Sequence, residues 1–200
     1  MSMQIISWEE YISSFSVSSP LAVTIGVFDG VHKGHQYLIQ RICASTYTPA
    51  VVTFKQNPLC TLKPDAFTGD IINLEQKLSF LEALGVQLTV LIDFSPKFSK
   101  ISGRDFIGLL LGSQTVKLIA LGRNFRCGHR LDTGAEEIQN LAGARGLEAW
   151  IAPPVMDEGQ PVSSSRIRQA LAAGRRAEAE RLLGWPLESI SPDNIVPNRR

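Results

Sequence analysis

Two histidines, His32 and His35, stand three residues apart in the stretch Thr24-Ile25-Gly26-Val27-Phe28-Asp29-Gly30-Val31-His32-Lys33-Gly34-His35. That spacing puts both imidazoles on one face of a helix's first turn. A helix N-terminus offers free backbone N–H groups and the positive end of the peptide dipoles, a ready site for phosphate. An imidazole adds a donor for a phosphoryl oxygen. A lone histidine is most often an ordinary core or surface residue. Two of the chain's three histidines within four positions, bracketed by Gly26, Gly30 and Gly34, read instead as a ligand site. A second cluster, Ser163-Ser164-Ser165, is followed by Arg166 and Arg168. One serine suffices to cap a helix. Three hydroxyls with two guanidiniums make a denser donor set, suited to the β- and γ-phosphates of a nucleotide. The two clusters together describe a nucleoside triphosphate site. There is no Gly-x-x-x-x-Gly-Lys-Ser/Thr loop, which disfavours a phosphate-loop kinase or GTPase, and no Gly-x-Gly-x-x-Gly after a strand, which disfavours a dehydrogenase. No nucleophile–base pair stands out.

The elements that must position these residues follow from the hydrophobic pattern. An apolar run at 21–27 reads as a buried strand, broken by the turn pair Asp29-Gly30. A helix then begins near Lys33, with Leu38 and Ile42 one turn apart. Residues 50–54 form a second strand, running into Lys55-Gln56-Asn57-Pro58, and residues 59–72 read as irregular. Asn73 with Gln76 forms a capping box for a helix bearing Leu74, Leu78, Leu81 and Leu84, stopped by Gly85. Residues 86–94 are a strand. Ser102 to Asp105 open a helix with Phe106, Leu109 and Leu110 on its apolar side. Residues 115–121 are a strand ending in the glycine- and base-rich loop 122–129, which carries Asn124 and Arg126. Thr133 with Glu136 reads as another capping box, and 147–152 as a further strand. A turn at 157–160 leads to the serine run and two last helices, and a short helix at 8–15 precedes the first strand. Strand and helix alternate almost throughout, which argues for an α/β fold with a parallel sheet and helices on both faces. In such sheets ligands bind beyond the carboxyl ends of the strands. The histidine motif, Asn57-Pro58 and the Asn124 loop each follow a strand, so all three are expected on one sheet edge.

Composition sets the bounds. The chain has 200 residues, 44% of them apolar, which is enough for one domain with a real core. The net charge of +1 points to no nucleic acid and no charged membrane surface. No apolar run is long enough to span a bilayer, and no secretory leader is visible. Cys43, Cys60 and Cys127 are far apart and odd in number, so neither a zinc site nor a disulfide framework is indicated and a cytoplasmic protein is expected. Among the side chains singled out, none is assigned as a metal ligand. A monomer is the default.

The stretch Gly-x-Phe-Asp-Gly-Val-His-x-Gly-His resembles the signature of the nucleotidylyltransferases that carry a His-x-x-His motif. More narrowly, residues 24–36, 51–58, 121–128 and 162–168, in that order, resemble the FMN adenylyltransferase (FAD synthetase) module of prokaryotic bifunctional riboflavin kinase/FMN adenylyltransferases, over about residues 20–184. The resemblance implies a Rossmann-like sheet of the nucleotidylyltransferase type. It implies a transfer of AMP from ATP to FMN, giving FAD and pyrophosphate, assisted by Mg²⁺. It implies that His32 and His35 steady the α-phosphate, and that Gly26, Val27, Phe28, Asp29, Gly30 and Gly34 form the backbone bed for ATP. Asn57, Pro58, Asn124 and Arg126 would lie near the phosphates or flavin, with Ser163, Ser164, Ser165, Arg166 and Arg168 at the leaving pyrophosphate. Asn57 stands where many members have histidine, Ser165 where threonine is usual, and Pro161 where a basic residue is common; residues 129–134 match the usual loop ending poorly. Domain 1–184 would then be the adenylyltransferase and 185–200 a tail, with the riboflavin kinase domain absent. Two alternatives remain: a related nucleotidylyltransferase with another phosphate acceptor, and a non-catalytic flavin- or nucleotide-binding module.

Overall fold

A computed structural model describes residues 2–113 and 115–189. Its centre is a six-stranded sheet of β1 (Gln4–Ser7), β2 (Leu21–Ile25), β3 (Thr48–Phe54), β4 (Leu88–Ile92), β5 (Val116–Gly122) and β8 (Glu148–Ala152). The spatial order is β1-β4-β3-β2-β5-β8, and every neighbouring pair is parallel. The chain winds from β2 through β3 and β4 to one side, then returns to place β5 on the other flank of β2. The crevice between the ends of β2 and β5 is therefore the topological switch point, where open α/β sheets take ligands.

The strands are apolar on both faces because helices cover both. Leu21, Val23 and Ile25 face a core built with α1 (Trp8–Ser13), α5 (Gly103–Ser113) and α6 (Ala135–Gly143). Ala22, Val51, Leu118 and Ala120 face the opposite core, built with α2 (Lys33–Cys43), α4 (Leu74–Ala83), α7 (Ser164–Ala172) and α8 (Arg176–Leu183). Each fully buried Leu or Ile contributes about 1.5–3 kcal/mol. The remaining pieces are the short helix α3 (Pro58–Leu62), the antiparallel pair β6 (Arg126–Cys127) and β7 (Thr133–Gly134), and the hairpin β9 (Met156–Asp157) with β10 (Gln160–Pro161).

The structure corrects the sequence reading at several points. Strand β1 was not expected: its four residues are too few for a period to register, and it gains its place as an edge strand beside β4. The stretch 59–72 is not wholly irregular, because Asn57 caps α3 and a 3₁₀ turn follows at Pro64–Ala66. Leu109 is exposed, and Ile107 takes the buried place beside Phe106 and Leu110. Thr133 makes no capping box. Its hydroxyl donates to Asp132 Oδ1, its backbone pairs with Cys127, and Gly134 occupies the N-cap of α6. The Asn73–Gln76 box is present on both sides. Packing continues past residue 184: Trp185 stacks on Phe80 at 4.6 Å and Leu187 is buried. Pro192 and Pro197 of the expected tail lie outside the described residues.

Candidate active site

The edge at the carboxyl ends of the strands is built around the loop leaving β2. Gly26 still donates to Val52 O at 3.1 Å, but Phe28 then turns into the left-handed region at φ 53°, followed by Gly30 at 78° and Val31 at 36°. Positive φ at Phe28 and Val31 is strained for residues with side chains, and such strain clusters at functional sites. Gly26 is what makes it possible, since a Cβ there would lie 3.1 Å from the Phe28 ring.

The loop delivers His32 to the N-cap of α2. Its Nδ1 accepts the Gly34 N–H at 3.2 Å, which leaves the neutral ring's proton on Nε2, the outward donor. A side chain at residue 34 would press on this imidazole, a Cβ lying 3.1 Å from its Cε1. His35, one turn on, stacks on His32 with ring centroids 3.7 Å apart and planes 17° from parallel, and Phe28 packs on it at 4.9 Å. Its Nδ1 is buried with no hydrogen-bond partner among the described residues. Burial pushes the His32 imidazole down to about 4. Burial also takes His35 well below the usual histidine range, with His32 and Lys77 adding in the same direction. Both rings are thus neutral at pH 7, and the pair tolerates so close a stack because neither carries charge.

The serine run meets this loop from α7. Ser163 is the N-cap, accepting the Arg166 N–H at 3.3 Å, and Ser164 Oγ donates to Asp29 O at 2.9 Å. Ser165 is exposed. The Val162 carbonyl before the cap lies 3.9 Å from where a Gly34 Cβ would stand. The N-termini of α2 and α7 therefore converge, so the first turns of two helices point their backbone N–H groups toward one edge, an arrangement suited to an anion.

Not every residue expected there is free to bind. Asp29 is buried; its Oδ1 accepts the Ile71 N–H at 2.8 Å and its Oδ2 is ion-paired with Arg168, which also donates to Gly69 O at 3.1 Å. Burial raises the Asp29 carboxyl above its ordinary range, with Arg168 opposing. Arg166 spends its donors on Asp157, Glu178 and Gln160, tying the β9–β10 hairpin to α7 and α8. Asn57 accepts the Leu59 N–H at 3.1 Å and donates to Asp70 at 2.8 Å, while Pro58 takes the first helical position. Asn124 stands exposed in the turn after β5, on the same edge. Arg126 is exposed and donates to Leu131 O at 2.9 Å.

Two contributors were missed in the sequence. Lys77 is buried and donates to Phe54 O at 2.8 Å and Val27 O at 3.3 Å, at the ends of β3 and β2. Its signal was a lysine inside the apolar stripe of α4, between Leu74 and Leu81. Trp185 Nε1 donates to Gly30 O at 3.1 Å, bracing the loop from behind. A tryptophan beside a helix-stopping Gly184 (φ 82°) carries no such message by itself. Among the described residues, no group of three His, Cys, Asp or Glu side chains is placed to hold a metal ion.

The family described as FAD synthetase matches residues 15–166. Curated relatives named bifunctional riboflavin kinase/FMN adenylyltransferase include those of Escherichia coli K12 and Bacillus subtilis 168. Each is 31% identical, over 82% of this chain and 54% and 53% of their own lengths. The chain thus spans about half the length of the curated relatives it matches. A crystal structure of a protein named a macrolide-efflux protein, from Streptococcus pneumoniae, aligns with a TM-score of 0.81 and 32% identity over 92% of this chain and 61% of its own. The pantoate-beta-alanine ligase of Francisella tularensis shares the fold at a TM-score of 0.60 and 16% identity, over 90% of this chain and 80% of its own. A family match over three quarters of the chain fixes its membership: the chain belongs to the FAD synthetase family.

Proposed function

We propose that the chain transfers the adenylyl group of MgATP to FMN. A phosphate oxygen of FMN attacks the α-phosphorus. The bond from that phosphorus to the bridging oxygen of the β-phosphate breaks, and FAD and pyrophosphate leave. The observation that carries this reading is the stacked, neutral imidazole pair lying where the N-termini of α2 and α7 converge. The protein's part is to position and to stabilise charge, with no covalent intermediate. His32 donates from Nε2 to an α-phosphoryl oxygen, and as negative charge builds there the imidazole's proton affinity rises with it. His35 backs that ring and presents the second imidazole to the same phosphate. The Ser163 and Ser165 hydroxyls and the first-turn N–H groups of α7 receive the β- and γ-phosphates, Ser164 ties α7 to the motif loop through its bond to Asp29 O, and Arg168 adds its charge from the Asp29 pair. A divalent cation such as Mg²⁺ would be carried by the triphosphate of the substrate and would supply charge neutralisation there, with the chain's own part left to His32, His35 and the α7 N-terminus.

Loops 55–72 and 123–135 flank the crevice and carry exposed Leu59, Leu62 and Leu131, apolar surface suited to an isoalloxazine. Asn124 supplies a polar group at that end. Among the described residues no helix is long and apolar enough to cross a membrane. The three cysteines are free thiols, which fits a reducing compartment. The test is incubation of the protein with FMN, ATP and MgCl₂, following FAD and pyrophosphate by chromatography, with riboflavin replacing FMN in parallel. FAD from FMN alone is expected. ATP binding without FAD would send the assignment to another phosphate acceptor or to a binding-only module.

A further inference from the structure

Lys77 puts a charge where helix periodicity asks for an apolar side chain. It stands between Leu74 and Leu81 on the inward stripe of α4 and is buried. An ammonium there is costly unless its donors are met. Two of them reach Phe54 O at 2.8 Å and Val27 O at 3.3 Å. Phe54 is the last residue of β3, and Val27 lies two residues beyond β2. The Val27 carbonyl also accepts from the Thr53 hydroxyl at 3.1 Å. The next residue is the left-handed Phe28, whose ring packs on His35. One cation thus grips the carbonyl from which the strained loop departs. A leucine or methionine would fill the same space without desolvating a charge, so packing alone does not account for a lysine here.

We propose that Lys77 is a positioning residue for adenylyl transfer: by clamping the Val27 and Phe54 carbonyls together it fixes the path of the 26–35 loop, and through it the placement of the imidazole pair. Its charge has a second effect. His35 is faced by His32, stacked on it, and by the Lys77 cation from α4, and both disfavour its protonation on top of burial. Lys77 in turn is faced by Asp70, from the segment before α4, and by Asp29 from the motif loop. Asp70 is bonded to Asn57, and Asp29 is paired with Arg168 of α7. Removing Lys77 therefore leaves His35 easier to protonate, and a charge on one ring of a stack 3.7 Å deep disrupts the pair.

The inference rests on the adenylyltransferase reading for its kinetic readout. Lys77→Met keeps the stem's packing and removes both donors and charge. Lys77→Gln keeps donors without charge. For Lys77→Met, kcat is expected to fall by about 10²-fold, as for a misplacement near 1 Å, with KM for ATP changed far less. The acid limb of the kcat–pH profile is expected to move to higher pH. Lys77→Gln should recover part of kcat while keeping the displaced limb. A Lys77→Met enzyme with wild-type kcat and limb would overturn the proposal. So would failure of both variants to fold, which assigns Lys77 to stability alone. If the wild type makes no FAD, the functional reading falls, and NMR titration of the His35 ring in wild type and Lys77→Gln still decides the charge effect: an unmoved titration overturns it.

Discussion

Arg168 has two possible employments, a phosphate ligand and the counter-ion of a buried carboxylate, and a double-mutant cycle separates them. The Asp29 side chain is 4% exposed and the Arg168 side chain 20%. Arg168→Met leaves one carboxylate oxygen with no cation, while the Ile71 N–H still serves the other. Breaking one side of a buried pair costs 3–5 kcal/mol, and the partial exposure of Arg168 lets some water in, so about 3 kcal/mol is expected. Asp29→Asn keeps the acceptor for Ile71 and frees a guanidinium that can reach solvent, so about 1–2 kcal/mol is expected. The double variant should cost less than the sum by about 1.5–3 kcal/mol, the coupling typical of contacting partners. Urea titration reads this as a shift in midpoint at constant slope. Thermal melts should show a loss of roughly 6–12 °C for Arg168→Met, at 2–4 °C per kcal/mol for a chain of this size. The sign with pH is fixed by Asp29, whose carboxyl is already raised by burial. Without Arg168 it rises further, so the penalty of Arg168→Met is full at neutral pH and shrinks as the pH falls and the group takes up a proton. Additive single effects, or an Arg168→Met protein as stable as wild type, would refute the pairing argument and leave Arg168 free for phosphate alone.

Other perturbations have equally definite outcomes. Gly34→Ala puts a methyl 3.1 Å from the His32 ring while favouring the helix; kcat should fall by roughly 10-fold or more with stability changed by less than about 1 kcal/mol, read from kinetics and melts on one preparation. The His32 imidazole is held at about 4 in the fold against 6.5 unfolded, so the unfolded chain binds a proton first as the pH falls. The stability His32 lends is full above pH 6.5 and is lost as the pH falls through about 4, roughly 3 kcal/mol in all; His32→Asn should flatten that part of the urea-midpoint profile. Trp185→Phe removes the hydrogen bond to Gly30 O, and a loss of about 1 kcal/mol is expected in urea, with a rise in KM for ATP as the loop loses its brace.

What the sequence made legible was whatever depends on local pattern. The parallel α/β layout, the Asn73 cap and the N-terminal placement of His32 and Ser163 each follow from period and capping chemistry within a few residues. The histidine motif was legible as chemistry because its glycines and its imidazoles serve one another, Gly34 leaving room for the ring that its own N–H orients. What stayed hidden depends on distant partners. Arg166 and Arg168 look alike in the sequence, yet one is committed to Asp157 and Glu178 and the other to Asp29, over separations of 9, 12 and 139 residues. Thr133 carries the same capping signal as Asn73, but its hydroxyl was claimed by Asp132 and its backbone by a two-residue ladder. Strand β1 exists only because β4 offers it an edge.

The most direct test of the account follows the α-phosphorus itself. Wild-type protein and a His32→Ala/His35→Ala variant are given FMN, MgCl₂ and ATP labelled at either the α- or the γ-phosphate. The wild type is expected to place α-label in FAD and γ-label in pyrophosphate, with FAD formation lost in the double variant while its melt shows it folded. Wild-type rates in the double variant, or label that never reaches a flavin while ATP still binds, would contradict the claim that this imidazole pair carries adenylyl transfer to FMN.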